Sequence, residues 1–310
     1  MKNDFYSAAD DRLTKVSPGR GKVALVLGGG GARGYAHLGV AQALRDAGLE
    51  PDIVVGTSMG AIIGAAVANR ANLDGMLKTL KRLDINDILK ISRESRREMQ
   101  KLIGKSLVRE LGARRKERRE SDETPVKLAR LFTFFKLMTR DSTIEDLPIQ
   151  YAAVATDLEQ GGELIIKSGK VYRAAAASSA IPGFIPPVTL DGMTLVDGGV
   201  VDVLPILPAL ELGAERVLAV DVSEKLSPEV DSNPLSLFYR TNSIRQQELV
   251  NTKSSLARQK LNGDLQILKP PVEGINWLDF NEVGKAASIG QEHATEWLSR
   301  VEEIFSRRRN

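Results

Sequence analysis

The feature that most constrains the fold is a pair of strand–turn–helix units in the first quarter of the chain. In the first unit, the apolar run Lys22–Leu27 is followed by glycines 28–31 and then by helical spacing over Tyr35–Ala47. In the second unit, Ile53–Val55 is followed by the turn Gly56–Gly60 and a helix of small residues. Short apolar runs that end in glycine and alternate with helices are typical of parallel strands buried between helices. The predicted fold class is therefore α/β.

The rest of the pattern extends this sheet and interrupts it once. Further strands are predicted at Ile149–Ala155, Glu163–Lys167, Val188–Leu190, Thr194–Val196, Glu215–Val222 and Leu265–Leu268. Further helices are predicted at Ala61–Asn69, Leu73–Leu83, Val171–Ser179, Pro205–Leu212, Leu235–Leu261 and Glu282–Arg308. Residues 1–20 are polar and are expected to form a flexible tail. We expect one domain over residues 21–310, interrupted by a helical, basic insert at about 84–147.

The turn Gly56-Thr57-Ser58-Met59-Gly60 carries the strongest chemical signal. A G-x-S-x-G sequence between a strand and a helix forms a turn so sharp that the flanking residues have to be glycine, and it exposes the serine hydroxyl. Backbone amides and the positive end of the helix dipole at this point favour negative charge. Ser58 is therefore the candidate nucleophile. The competing interpretation is a glycine-rich turn with a structural role only.

The run Gly28–Gly34 also joins a strand to a helix, and Gly29, Gly31 and Gly34 form a G-x-G-x-x-G pattern. Dinucleotide-binding folds use this pattern, but they need an acidic residue at the end of the second strand, which here continues into Gly56. A loop of amides beside a nucleophilic serine can instead donate hydrogen bonds to the oxyanion of an acyl-transfer intermediate. This second use is favoured over nucleotide binding.

A nucleophilic serine needs a base within hydrogen-bond reach, and the composition limits the choice. The chain contains no cysteine and only two histidines, which excludes disulfides, thiolate nucleophiles and cysteine metal sites. His37 is predicted to serve packing or a local hydrogen bond, and His293 lies on one face of a predicted helix. The remaining candidate is Asp197, because burial raises the pKa of a carboxyl toward the range that suits a base. Two alternatives stay open: a Ser58–Asp197–His293 triad, and an ordinary Asp-Gly turn at Asp197-Gly198.

In this order and context, Gly28–Gly34, Gly56–Gly60 and Asp197–Gly199 resemble the motifs of the patatin-like phospholipase family, nearest to its bacterial, neuropathy-target-esterase-like branch. The resemblance covers roughly residues 22–83 and 149–222, and it includes Ala155–Leu158 and Ala177–Pro182. It implies a three-layer α/β/α sandwich with a mainly parallel central sheet. It also implies hydrolysis of acyl esters of phospholipids, lysophospholipids or simpler lipids, with no metal or organic cofactor.

Carried over to this chain, the resemblance implies a role for each motif. Ser58 is the nucleophile and Asp197 the general base of a dyad that works through an acyl-enzyme. The amides of Gly29, Gly30 and Gly31 form the oxyanion hole. The residues that support the motifs are Arg33, Gly34, Gly56, Gly60, Gly198 and Gly199. One departure from the branch is that an asparagine usually precedes Leu-Pro, whereas this chain reads Val200-Val201-Asp202-Val203 before Leu204-Pro205; this bears on a loop contact rather than on the dyad.

The net charge of +3 conceals one strongly basic segment. Residues 93–119 contain eleven Lys and Arg against four Glu, which gives +7 and leaves −4 for the rest of the chain. Because no aromatic residues are interleaved with these charges, nucleic-acid binding is not expected. Peripheral contact with an anionic membrane through residues 93–140 is one interpretation. The alternative is a solvated linker followed by an apolar helix at Val126–Met138 that belongs to the core or a dimer interface; a roof over the active site is a third.

The sequence also bears on location. The N-terminal stretch has acidic residues where a signal peptide needs an apolar core, and no apolar run reaches the roughly 20 residues of a membrane span. We therefore expect a cytoplasmic protein, either free or peripheral at the inner face of the membrane. A non-catalytic regulatory or binding protein on the same scaffold remains the second class of function.

Overall fold

The computed structural model of the chain describes residues 21–83, 132–136, 138–139, 141–223 and 234–306. The expected tail at residues 1–20 and the basic segment at 93–119 lie outside the described residues. Most of the expected insert at about 84–147 lies outside them as well.

Within the described ranges, eight strands form one sheet. They are β1 Val23–Leu27, β2 Ile53–Thr57, β3 Gln150–Asp157, β4 Gly162–Ile166, β5 Val188–Leu190, β6 Met193–Asp197, β7 Arg216–Val220 and β8 Leu265–Leu268. Their order in space is β5-β6-β3-β2-β1-β7-β8, and β4 also pairs with β3. Strands β3, β2, β1, β7 and β8 are parallel, whereas β4, β5 and β6 pair antiparallel. Each strand predicted from the sequence is present, and the mainly parallel α/β sheet is confirmed.

Strand β3 has three neighbours along its two edges. β2 pairs with its first five residues, β4 with its last five and β6 with its last three. Because β4 overlaps both of the others, β2 and β6 lie on the opposite edge of β3, end to end. Thr57 ends β2 opposite Val154, and Asp197 ends β6 opposite Ala155. The ends of β2 and β6 therefore meet at one point of the sheet.

Helices cover both faces of the sheet. They are α1 Ala36–Asp46, α2 Met59–Ala68, α3 Leu73–Leu80, α4 Val171–Ser178, α5 Ile206–Glu211, α6 Pro234–Lys260 and α7 Val283–Ser306. Leu25 and Leu27 of β1 face a core with α1, α2, α3, α4 and α7, whereas Ala24 and Val26 face a second core with α5 and α6. This alternation confirms the three-layer sandwich. None of the described helices is both long enough and apolar enough to cross a membrane.

The described part of the helix predicted at Val126–Met138 packs into the first core. Residues 132–136 and 138–139 are helical. Phe135 and Met138 are buried, and Phe132 and Phe134 pack against the same core with part of their surface exposed. Of the interpretations offered for this helix, burial fits its described residues.

Helices α1 and α7 approach each other closely enough that their backbones touch. A Cβ atom on Gly39 of α1 would lie 1.9 Å from Ala287 O of α7, and one on Gly290 of α7 would lie 2.0 Å from Ala36 O of α1. Both distances are far below van der Waals contact, and the atoms involved belong to the backbone. The two glycines therefore set the spacing of these helices.

We predict that Gly39→Ala destabilises the protein, although alanine is the better helix former. The added methyl group forces α1 and α7 apart, which costs about 1–3 kcal/mol or more, as overpacking does. Thermal unfolding should show a Tm lower by several degrees. Gly162→Ala is the control, because a Cβ on Gly162 meets nothing within 4 Å. Equal Tm values for the two variants would contradict the close approach.

Candidate active site

Ser58 occupies the turn between β2 and α2 in a backbone conformation that residues other than glycine rarely adopt. Its φ is 56° and its ψ is −123°. Such a conformation costs on the order of 1–3 kcal/mol and persists only where the surroundings enforce it. The flanking glycines allow the turn: a Cβ on Gly60 would lie 2.0 Å from Leu27 O, and one on Gly56 would lie 2.3 Å from Gly60 O. The sharp turn predicted for the G-x-S-x-G sequence is thus present.

The hydroxyl of Ser58 contacts Asp197 directly. Ser58 Oγ donates to Asp197 Oδ2 at 2.6 Å, although 139 positions separate the two residues. The sheet brings them together, because the ends of β2 and β6 meet on one edge of β3. The structure therefore places the predicted nucleophile and the predicted base in hydrogen-bond contact, with no group between them.

Burial sets the electrostatics of Asp197. Its side chain is nearly inaccessible, and desolvation raises the pKa of the carboxyl to about 6. Hydrogen bonds from Ser58 and from the Gly199 amide, which lies 2.7 Å from Oδ1, lower the pKa and offset part of this effect. A carboxylate with a pKa near the working pH can both accept a proton and return it.

Ser178 holds the nucleophile turn from the other side. Its Oγ accepts a hydrogen bond from Ser58 N–H at 2.9 Å and donates to Val154 O at 2.6 Å. Two residues later, Ala180 O accepts from Asp197 N–H at 3.0 Å. One short segment at the C-terminal end of α4 therefore supports both Ser58 and Asp197. The sequence pattern had marked this segment only as part of the family resemblance and assigned no role to the serine.

The glycine run is tied to the sheet by its first two amides. Gly28 N–H donates to Val220 O at 3.0 Å, and Gly29 N–H donates to Val203 O at 2.8 Å. The Gly29 amide, which we expected in the oxyanion hole, therefore already has an acceptor within the protein. Gly29 instead packs beside the nucleophile turn, since a Cβ on Gly29 would lie 3.5 Å from Ser58 Cβ.

The next two amides are the remaining candidates for the oxyanion hole. Neither Gly30 N–H nor Gly31 N–H has an acceptor within the described part of the chain. Gly31 lines the same pocket as Ser58. Its φ is 56°, and a Cβ would lie 2.3 Å from Trp277 O, so only glycine fits.

Other motif residues shape the loops around the dyad. Arg33 is buried, and its Nε donates to Gly30 O at 3.4 Å, which supports a role in holding the glycine loop. A Cβ on Gly34 would lie 2.6 Å from Met59 Cβ, beside the nucleophile. A Cβ on Gly198 would lie 2.2 Å from a carbonyl oxygen of β3.

The two histidines lie outside the dyad. His37 is fully buried, and its Nε2–H donates to Gly28 O at 2.8 Å, a local hydrogen bond of the predicted kind. Burial lowers the pKa of His37 to about 4, so the imidazole is neutral at pH 7. His293 is half-buried on α7. No hydrogen bond among the described residues joins it to Ser58 or Asp197, and the direct contact between those two leaves no position for an imidazole.

An apolar pocket opens beside Ser58. It encloses about 830 Å³ of space, its open mouth included. Its apolar walls come from α2, α3, the helical residues 132–136 and two loops: Met59, Ile62, Ile63, Met76, Leu80, Phe134, Phe135, Ile181, Phe184, Ile185, Leu278 and Phe280. Tyr35 and Ser179 also line it, and the buried hydroxyl of neither has a hydrogen-bond partner among the described residues. Sequence reasoning had singled out neither residue.

The arrangement combines a candidate nucleophile, a candidate base, two amides without an acceptor among the described residues, and an apolar cavity. These groups are sufficient for attack on a carbonyl carbon and for stabilisation of the resulting oxyanion. Within the described residues, no cluster of three or more acidic or histidine side chains has the arrangement of a metal site.

Comparison with known proteins places the chain in context. A family model described as patatin-like phospholipase matches residues 25–210. An uncharacterized NTE family protein of Mycobacterium tuberculosis is 36% identical over 214 residues, which are 69% of this chain and 52% of that protein. Lysophospholipase nte1 of Aspergillus fumigatus is 29% identical over 97% of this chain and 19% of its own length. Human patatin-like phospholipase domain-containing protein 6 is 30% identical over 91% of this chain and 20% of its own length.

The chain thus spans about half the length of the mycobacterial relative and about a fifth of the other two. The family model nevertheless covers more than half of this chain, and it includes the glycine run, the Ser58 turn and the Asp197 loop. The chain belongs to the patatin-like phospholipase family.

Proposed function

We propose that this chain is a serine acyl hydrolase that cleaves carboxylic esters of lipids. The observation that carries the proposal is the 2.6 Å hydrogen bond between Ser58 Oγ and Asp197 Oδ2 at the wall of an apolar pocket. The pocket suits an acyl chain, because burial of methylene groups against apolar side chains is favourable by about 0.8 kcal/mol each. Family membership and the lysophospholipase named among the relatives support phospholipids or lysophospholipids as the substrate class.

Acylation begins with a proton transfer. Asp197 Oδ2 accepts the proton of Ser58 as Oγ attacks the ester carbonyl carbon. The carbonyl oxygen becomes an oxyanion, which accepts hydrogen bonds from the amides of Gly30 and Gly31. Collapse of this intermediate breaks the ester bond, the alcohol leaves with the proton from Asp197, and the acyl group remains on Ser58.

Deacylation repeats these steps with water. Asp197 accepts a proton from a water molecule whose oxygen attacks the acyl carbonyl carbon. The same two amides hold the second oxyanion. Ser58 recovers its proton from Asp197 and the fatty acid is released, so no cofactor takes part in the cycle.

Two other functions remain as alternatives to this mechanism. A Ser58–Asp197–His293 triad would require an imidazole at the dyad, and His293 makes no such contact. A non-catalytic binding protein would not need the strained turn at Ser58 or the buried, ionisable Asp197, both of which cost free energy of folding.

We predict that Ser58→Ala and Asp197→Asn each lower ester hydrolysis by a factor of about 10³ or more, as in other serine hydrolases. The measurement is turnover of a panel of phospholipids, lysophospholipids and short-chain esters. A fluorophosphonate probe should label the wild type and not Ser58→Ala. His293→Ala is the matched control and should keep full activity. Loss of activity in His293→Ala alone would support the triad, and an unlabelled, inactive wild type would support the binding protein.

We predict that kcat/KM rises with pH through an apparent pKa of about 6. The sign follows from the mechanism: protonated Asp197 cannot accept the proton of Ser58, so activity falls below this pH and reaches a plateau above it. The measurement is a pH–rate profile on a soluble ester whose own ionisation is constant between pH 4 and 9. A profile that stays flat down to pH 4 would contradict the buried base.

For the expected membrane contact through residues 93–140, we propose that the basic segment 93–119 meets anionic lipid head groups, while Phe135 and Met138 stay packed in the core. Its support is the charge of +7 over 93–119, since each basic residue near an anionic surface contributes about 1 kcal/mol. This contact would bring the pocket to a membrane and make the protein peripheral at the inner face.

We predict that the protein floats with vesicles containing anionic phospholipid and not with neutral ones. Binding should weaken at about 0.5 M salt, because salt screens surface charges. A variant with Arg114, Arg115, Lys116, Arg118 and Arg119 changed to Gln should lose binding. Five Lys or Arg changed to Gln elsewhere on the exposed surface are the control. Equal flotation with both vesicle types would remove the proposed contact.

A further inference from the structure

Helix α6 lies beyond the segment that the family model matches, yet it contacts the loop that follows the candidate base. We call residues 198–202 the base loop. Gln246 Nε2 of α6 donates to Gly199 O at 2.8 Å. Seven residues later, Lys253 Nζ donates to Asp202 Oδ2 at 2.7 Å. Seven residues are about two helical turns, so both side chains lie on one face of α6 and hold the base loop at two points.

The contact from Gln246 reaches the base through one residue. Gly199 accepts from Gln246 at its carbonyl oxygen and donates from its amide to Asp197 Oδ1 at 2.7 Å. The other carboxylate oxygen, Oδ2, accepts from Ser58. A displacement of Gly199 would therefore alter one of the two hydrogen bonds that orient the carboxyl.

The second contact point is ionic. The Asp202 side chain is 1% exposed, and Lys253 also donates to Glu163 Oε2 of β4 at 2.7 Å. The backbone of Asp202 is held as well: its amide donates to Gly198 O at 2.8 Å, and its carbonyl oxygen accepts from Thr57 Oγ1 at 2.8 Å. Asp202 thereby links the base loop to a lysine on α6.

We propose that Gln246 and Lys253 are positioning residues, which fix the base loop so that the Gly199 amide stays on Asp197 Oδ1 while Oδ2 faces Ser58. The inference rests on the proposed function, because the orientation of Asp197 affects a rate only if Asp197 is the base. It gives α6 a part in catalysis although no atom of α6 needs to touch the substrate.

The test is Gln246→Ala in the full chain. Without the Gln246 donor, the Gly199 carbonyl oxygen accepts a hydrogen bond from solvent instead. The Gly199 amide is then no longer held in position against Asp197 Oδ1. Because that hydrogen bond lowers the pKa of Asp197, its weakening moves the acid limb of kcat/KM to higher pH, by about half a unit to one unit. We expect kcat at pH 7 to fall about tenfold with KM within about twofold, since orientation and not binding is disturbed.

Two variants on the same helix serve as controls. Gln247→Ala removes the neighbouring glutamine, whose Nε2 donates to Asn251 Oδ1 on the surface at 3.2 Å and to no other acceptor among the described residues, and it should behave as the wild type. Gln246→Met keeps a side chain of similar length and removes the donor without adding a charge, so it should shift the acid limb as Gln246→Ala does. The proposal is overturned if Gln246→Ala lowers Tm while its acid limb lies at the same pH as that of Gln247→Ala. Gln246 would then have a structural role only.

A second readout separates this proposal from the proposed function. The carboxyl of Asp197 can be titrated by ¹³C NMR in protein labelled at aspartate, with its signal assigned from its loss in Asp197→Asn. This titration does not require turnover. An inactive wild type would refute the hydrolase, whereas an unmoved Asp197 titration in Gln246→Ala would refute the positioning role.

Lys253 is tested with its partner. Lys253→Met alone leaves Asp202 buried without a counter-charge and endangers folding. Lys253→Met combined with Asp202→Asn removes the ion pair without that charge. We expect a shift of the acid limb in the same direction as in Gln246→Ala. If the acid limb of this double variant lies at the same pH as in the wild type, Lys253 does not position the base loop.

Discussion

The hydrogen bond between Ser58 and Asp197 is the interaction on which the rest of the site depends. It joins the ends of two strands that approach each other along one edge of β3, so its geometry is set by the register of the sheet. The glycines around it are needed because the backbone of β1, β2 and α2 comes within contact distance there. A direct contact between serine and carboxylate also means that no intermediate group can compensate for a shift of either strand.

Burial of the carboxyl that takes part in this hydrogen bond has a cost for stability. The pKa of Asp197 is about 6 in the folded protein against 3.8 for an ordinary aspartate. Above pH 6 the carboxylate is ionised in both states, and the folded state bears a penalty of about 3 kcal/mol relative to a solvated carboxylate. Below about pH 4 the group is protonated in both states and the penalty disappears. Its contribution to stability thus falls as pH rises from about 4 to 6, in the range where the base becomes active.

Features that depend on local sequence patterns could be predicted from the sequence, whereas contacts between distant residues could not. The strand and helix ranges and the turn at Ser58 follow from apolar runs, glycines and spacing, all of which are local. Asp197 was found because a carboxylate before two glycines is distinctive in a chain that has two histidines. Gly29 was assigned to the oxyanion hole because the sequence does not show that Val203 accepts from its amide. Gln246 and Lys253 occupy a polar surface helix, where nothing in the pattern distinguishes them from Gln247.

Because pairing with β3 brings Ser58 and Asp197 together, the length of chain between them has little influence on the dyad. The cost of closing a longer loop rises only logarithmically with its length. The stretch from α3 to β3 can therefore be extended, shortened or recharged while the reactive atoms keep their spacing. That same stretch contributes Phe134 and Phe135 to the wall of the pocket. In the proposed hydrolase, selection on this stretch can thus change which acyl chain the pocket accommodates without changing the spacing of Ser58 and Asp197.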